Sequence, residues 1–237
     1  MKTYKLMTRK ALTAAVLAAM LCATVFLPVL SGCEKPAVQE NITAVGDHIF
    51  FGSYPQTADG EVQPIEWRVL DVEDGKALAI SEYLLDVHIF DEYTDDWTES
   101  DIRAWLNRDF LNIAFSSIER EKLTADISDD LVSLLSMEEA KKHLKNANDR
   151  KAAPTPFAMK RGAHISGNHT LENGVNAGWW WLRSSDLSSD RAACVSSGGF
   201  IIDHGSDVDF ELICIRPVVL VSLSNQLPVG NTPDPSA

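Results

Sequence analysis

The sequence predicts an α+β domain, a mixed fold of short strands with several short helices. Three observations predict it: strand-length apolar runs bounded by turn residues come first, helical spacing with capping residues follows, and apolar strand-like runs return at the end. Strands, then helices, then strands argue against the regular alternation of a parallel α/β sheet.

The early strands are predicted at 49–52, at 65–72 (IEWRVLDV) and at 77–81 (ALAIS). Period-two geometry puts Ile65, Trp67 and Val69 on one face. Asp74-Gly75 between the second and third runs is a hairpin signal. The middle is helical. Thr98 is the expected N-cap, with Glu99 and Asp101 suited to the first turn. Ile102, Trp105, Leu106 and Phe110 then fall on one apolar stripe. Ser116 with Glu119, and Ser136 with Glu139, fit the capping-box pattern and open two more short helices. A strand is expected at 131–135, and the last third adds WWWLRS, AACVS, GFIID and ICIRPVVLVSL.

These elements span 46–223, a length suited to one domain with its own core. The termini read differently. The first ten residues hold four basic side chains and no acid, and 11–30 is almost wholly apolar, the layout of an export signal. Leu30-Ser31-Gly32-Cys33 resembles the lipobox of bacterial lipoproteins. That resemblance implies cleavage before Cys33, a diacylglyceryl group on its thiol, and a chain lipid-anchored to the bacterial cell membrane, exposed outside the cytoplasm. Two acyl chains suffice for stable anchoring where one does not. Residues 1–32 are then the signal peptide, 33–45 a lipid-anchored tether, and 224–237, with three prolines, a disordered tail.

Loss of the four basic residues takes the formal charge from -13 to -17. So acidic a chain is repelled by nucleic acid, which is excluded as a partner. A cationic partner or a neutral sugar remains compatible.

Segments along 46–223 are similar to the bacterial family known as domain of unknown function 6273. They are FGSYPQT, PIEWRVLD, ALAISEYLLD, SDIRAWLNRDFLNIAFS, WWWLRS, RAACVSSGG, HGSDVD and IRPVV. Ser185-Asp186 departs from the Pro-Gly usual in the family, so the turn there is expected to differ. The resemblance implies an envelope or extracellular setting and a fold similar to C-type lectins and formylglycine-generating enzymes. It implies no activity.

Three groups are candidate sites. In WWWLRS, Trp179, Trp181 and Arg183 share one strand face and Trp180 takes the other. Core is the favoured place for at least two of the rings, leaving one free to stack on a ligand beside Arg183. Asp203, His204, Asp207, Asp209 and Glu211 form an acidic loop that offers oxygen ligands to calcium. Their spacing does not match the known calcium loop, and a solvated hairpin is the plainer reading. Cys194 and Cys214 form either a disulfide or two buried thiols. Arg216 is expected to pair with Asp71 or Glu66.

No nucleophile elbow, zinc-binding HExxH, P-loop or dinucleotide fingerprint is present. Non-catalytic binding of an envelope or extracellular ligand, a glycan or a protein, is the expected function. An enzyme of the formylglycine-generating superfold and a purely structural envelope component are the alternatives. An enzyme requires a concave polar pocket at Cys194 or the 203–211 loop, a binding module a shallow face with exposed aromatics.

Overall fold

The computed structural model describes residues 44–126, 128–185 and 190–223. The expected signal peptide, the lipidation site Cys33, the tether through residue 43, Asp186 of the variant turn and the tail 224–237 lie outside the described residues. Among the described residues no helix is long and apolar enough to cross a membrane.

Strands and helices are mixed, and strands dominate. Three antiparallel strands open the fold, His48–Pro55, Val62–Glu73 and Lys76–Ser81. The strand Val218–Ser222 returns antiparallel to the third, with Val218 opposite Ile80 and Ser222 opposite Lys76. Its other edge carries two short pairings, Leu123–Thr124 and Val132–Ser133. Asp74 and Gly75 take φ of 50° and 71°, the left-handed pair a two-residue hairpin demands. Ile65, Trp67 and Val69 are buried on one face as their alternation predicts. A bulge between Val69 and Asp71 then breaks the period, and Leu70 packs on the opposite side.

A second sheet runs in the order Ile201–Asp207, Arg191–Val195, Trp180–Ser185, Cys214–Ile215, Asp86–Val87. The central strands of both sheets are covered on both faces. Trp67, Ala79, Val219, Trp181 and Cys194 join one apolar cluster, while Ile80, Val218, Trp180, Ala193 and Cys214 join the other. Double burial explains why the later strands read as continuous apolar runs rather than alternating ones.

The helical middle differs from expectation at its start. Ser100, not Thr98, caps the helix Asp101–Trp105 by accepting from Arg103 N at 3.3 Å. The Thr98 hydroxyl donates instead to Asp96 Oδ1 at 2.7 Å. The apolar stripe continues through a π-helical turn, Leu106–Phe110. That wider turn presents Asn107, whose Oδ1 accepts from Leu131 N and Val132 N at 3.0 and 3.2 Å and whose amide donates to Val132 O at 2.8 Å. A side chain thus takes ladder positions at 131–132, and the strand expected over 131–135 shortens to Val132–Ser133. Both capping boxes form, at Ser116 with Glu119 and at Ser136 with Glu139.

Candidate functional site

Trp180 and Trp181 are fully buried, on opposite faces of their strand. Their indole N–H groups donate to the carbonyls of Arg150 at 3.1 Å and His88 at 2.8 Å. Trp181 is therefore a core residue, with no face for a ligand. Arg183 is engaged too: Nη1 and Nη2 donate to Glu139 Oε2 and Oε1 at 2.5 and 2.8 Å, and Nη1 to Leu134 O at 2.6 Å. Trp179 alone stays half-buried. Its ring meets His164 edge-on, with centroids 5.5 Å apart, and His164 meets Phe210 at 6.1 Å. Phe210 and Leu212 are partly exposed beside it. Trp179 and the end of the acidic loop are thus brought together through His164, a residue with no sequence signal of its own.

The acidic loop itself is spread along the edge strand Ile201–Asp207 and the turn after it. Asp203 is exposed, and its carboxyl lies below the ordinary range because the His204 ring and backbone donate to it. Asp207 faces Arg191 at 3.7 Å, and Asp209 and Glu211 are exposed. Among the described residues no three His, Cys, Asp or Glu side chains converge to hold a metal ion.

Cys194 and Cys214 are free, which corrects the disulfide alternative. Cys194 lies opposite Trp181 and Cys214 beside Trp180, on the two strands flanking the tryptophan strand. Two strand spacings separate them by roughly 10 Å, beyond the ~7 Å that a disulfide spans. Their side chains also enter different clusters. Burial pushes the Cys194 thiol up to about 12 and the Cys214 thiol higher still. Neither is a nucleophile near neutral pH.

The concave surface lies elsewhere. A cleft of about 540 Å³ opens between the first sheet and the short helix Ala147–Arg150. Arg68 and Glu82 form the sheet wall, Asn148, Asp149 and Lys151 the helical wall, and residues 170–173 of the hairpin between Ile165–Thr170 and Asn176–Gly178 overhang it. Arg68 Nη2 donates to Asp149 O at 3.2 Å across the opening, and Lys151 Nζ donates to Thr170 O at 3.3 Å. All the lining residues but Leu171 are polar, and they present the carboxylate, amide and cationic groups that bind hydroxylated ligands.

Arg216 lies beneath. Its expected partners are taken: Glu66 binds His48 Nδ1 at 2.7 Å, and Asp71 binds Lys142 at 3.4 Å. Arg216 instead donates from Nε to Ser81 O at 3.0 Å and from Nη1 to Arg150 O at 3.2 Å, with its guanidinium over the Trp180 ring at 5.2 Å. It is fully buried. Burial first, and the like charge of Arg68 second, push its pKa down to about 9, with Glu82 opposing. At neutral pH it is still a cation.

No sequence signal marks this cleft, because Arg68, Glu82 and Lys151 come from three separate segments without a motif. Arg216, expected to pair with Asp71 or Glu66, is bonded to the carbonyls of Ser81 and Arg150 instead. The profile of a domain of unknown function, DUF6273, matches residues 74–223. The match begins at the hairpin turn, so FGSYPQT and PIEWRVLD lie outside it. No curated protein and no solved structure matches the chain.

Proposed function

The chain belongs to the DUF6273 family, and from that premise we propose a lipid-anchored cell-surface protein that binds an envelope or extracellular glycan without catalysis. The lipobox at 30–33 carries the anchoring, and a likeness to C-type lectins belongs to the same proposal. The observation that carries the binding role is the polar cleft between Arg68 and Lys151. Its volume falls within the ~300–1,000 Å³ of small-molecule sites, room for a sugar. The half-buried Trp179 ring offers a second, smaller contact beside His164 and Phe210.

The test is a glycan and peptidoglycan-fragment array probed with the full chain purified in detergent. Asn148→Trp, at an exposed position of the cleft wall, fills the opening without touching the core. Glycan binding that Asn148→Trp abolishes supports the reading. A blank array, or binding indifferent to Asn148→Trp, sinks it, and capture of a protein partner instead moves the function to that class. Mass spectrometry of the native N-terminus tests the anchor: an unmodified leader refutes it.

A further inference from the structure

The hairpin that overhangs the cleft belongs to neither main sheet. Among the described residues, Ile165–Thr170 and Asn176–Gly178 pair only with each other. Its parts differ in firmness. The base is fixed: Ile165 lies opposite Gly178, Gly178 N donates to Ala152 O and Trp179 N to His164 O, each at 3.0 Å. A Cβ at Gly178 would stand 2.8 Å from Leu84 Cδ1, so the core closes tightly around this end. The tip is bonded to itself. Leu171 N donates to Val175 O at 2.8 Å, Gly174 N to Leu171 O at 3.0 Å, and Val175 N to Asn173 Oδ1 at 3.0 Å.

The arm between base and tip is the weak part. The register jumps from Ile165 opposite Gly178 to Thr170 opposite Asn176, so residues 166–169 face Ala177 alone. A bulge ordinarily adds one residue to a strand, and this one adds three. Gly167 and Asn168 are exposed, and a Cβ at Gly167 would meet nothing within 4 Å. An incomplete ladder with few buried contacts is where a fold opens first. The ties from the outer hairpin to the body are light. Lys151 Nζ donates to Thr170 O at 3.3 Å in an exposed bond, and the His169 and Phe200 rings come within 3.5 Å of where a Gly198 Cβ would stand.

We infer that this hairpin is a lid: the tip 170–176 swings as one piece about the arm 166–169 and closes on the helical wall, with Lys151 as its latch. Closure carries Leu171, the one apolar residue of the lining, onto an otherwise polar site. A lid of this kind shuts water out and holds the ligand in. That the hairpin moves stands on its own geometry. That it closes on a sugar rests on the cleft being the glycan site.

Disulfide trapping on the full chain tests the motion. Asn148 in the helical wall and Glu172 in the tip are exposed and line the cleft, and a disulfide needs Cα atoms within ~7 Å. The double variant Asn148→Cys/Glu172→Cys should link under mild oxidation, read as a sulfur-bridged pair of peptides that neither single variant gives. Lys151→Met, which removes the latch, should speed the linking severalfold and leave the melting temperature nearly unchanged. The glycan and peptidoglycan-fragment array is then probed with the double variant, oxidised and reduced. Capture lost on oxidation and regained with dithiothreitol supports the lid. No link, or a linking rate indifferent to Lys151→Met, overturns it and leaves the glycan reading to the Asn148→Trp test. Capture unchanged by oxidation overturns it as well, because a shut lid must exclude the sugar. A blank array from the unmodified chain sinks the glycan reading, while trapping still decides the motion.

Discussion

Arg183 grips Glu139 with both ends of its guanidinium, at 2.5 and 2.8 Å, and the same carboxylate caps a helix. Glu139 Oε2 accepts from Ser136 N at 2.8 Å, while Ser136 Oγ accepts from Glu139 N at 3.2 Å. One side chain thus closes the box that starts Met137–His143 and ties that helix to the tryptophan strand. Burial works against its ionised form, but hydrogen bonds from Arg183 and Ser136 prevail and hold its pKa below the ordinary value. A depressed carboxylate contributes stability above its unfolded value of about 4.3, lost as pH falls through the lower folded value. Glu139→Gln is expected to cost about 2 kcal/mol at neutral pH and to flatten the fall in melting temperature below about pH 4.5. Melts from pH 7 to 3 check this. A variant that follows the wild-type acid profile refutes the assignment.

The two core thiols are expected to resist labelling. Cys194 and Cys214 are buried, and burial pushes Cys194 up to about 12. A thiol reagent at pH 8 should modify neither in the folded protein and both after denaturation. A tryptic peptide linking the two through sulfur disproves the placement.

The hairpin at Asp74-Gly75, the buried face of Ile65, Trp67 and Val69, and both capping boxes were legible because each depends on neighbours in sequence. Thr98 misled because a nearby aspartate, Asp96, competes for its hydroxyl. The strand expected at 131–135 is shorter because a π-turn brings Asn107 to its backbone from 24 and 25 residues away. The candidate site was the least legible part. Cys194 and Cys214 fit a disulfide and two buried thiols equally well in sequence, and sheet order, which puts a strand between them, is what separates the two readings. Arg68, Glu82 and Lys151 carry no local pattern, and only the return of the last strand beside the third sets Arg216 under them.

Two glycines separate backbone strain from steric clash. Gly75 has φ 71° and open space where a Cβ would lie, so Gly75→Ala should cost only about 1 kcal/mol. Gly199 has φ 78°, and a Cβ there lies 1.9 Å from the Ala147 carbonyl oxygen. The Ser196–Phe200 turn and the helix Ala147–Arg150 must then part, breaking the 2.7 Å bond from Arg150 Nε to Gly199 O. Gly199→Ala is expected to cost well over the Gly75→Ala value, about 3 kcal/mol or more. Urea titration of both variants decides, and equal midpoints contradict the close approach.

Trp180 and Arg216 should behave as one unit. The indole N–H and Arg216 Nη1 both donate to Arg150 O, at 3.1 and 3.2 Å, and the guanidinium lies over the indole. Trp180→Phe keeps an aromatic face and leaves Arg150 O still bonded to Arg216, so its cost should be modest, about 1–2 kcal/mol. Arg216→Lys keeps the charge, but one ammonium cannot span Ser81 O and Arg150 O while lying flat on a ring, and about 3–5 kcal/mol is expected. Because the two side chains share a carbonyl and a stacking contact, the double variant should cost less than the summed single costs by about 0.5–2 kcal/mol. A double-mutant cycle from urea denaturation measures the difference. Strict additivity means that the charge under the cleft is not held by the tryptophan, and that its place there has another cause.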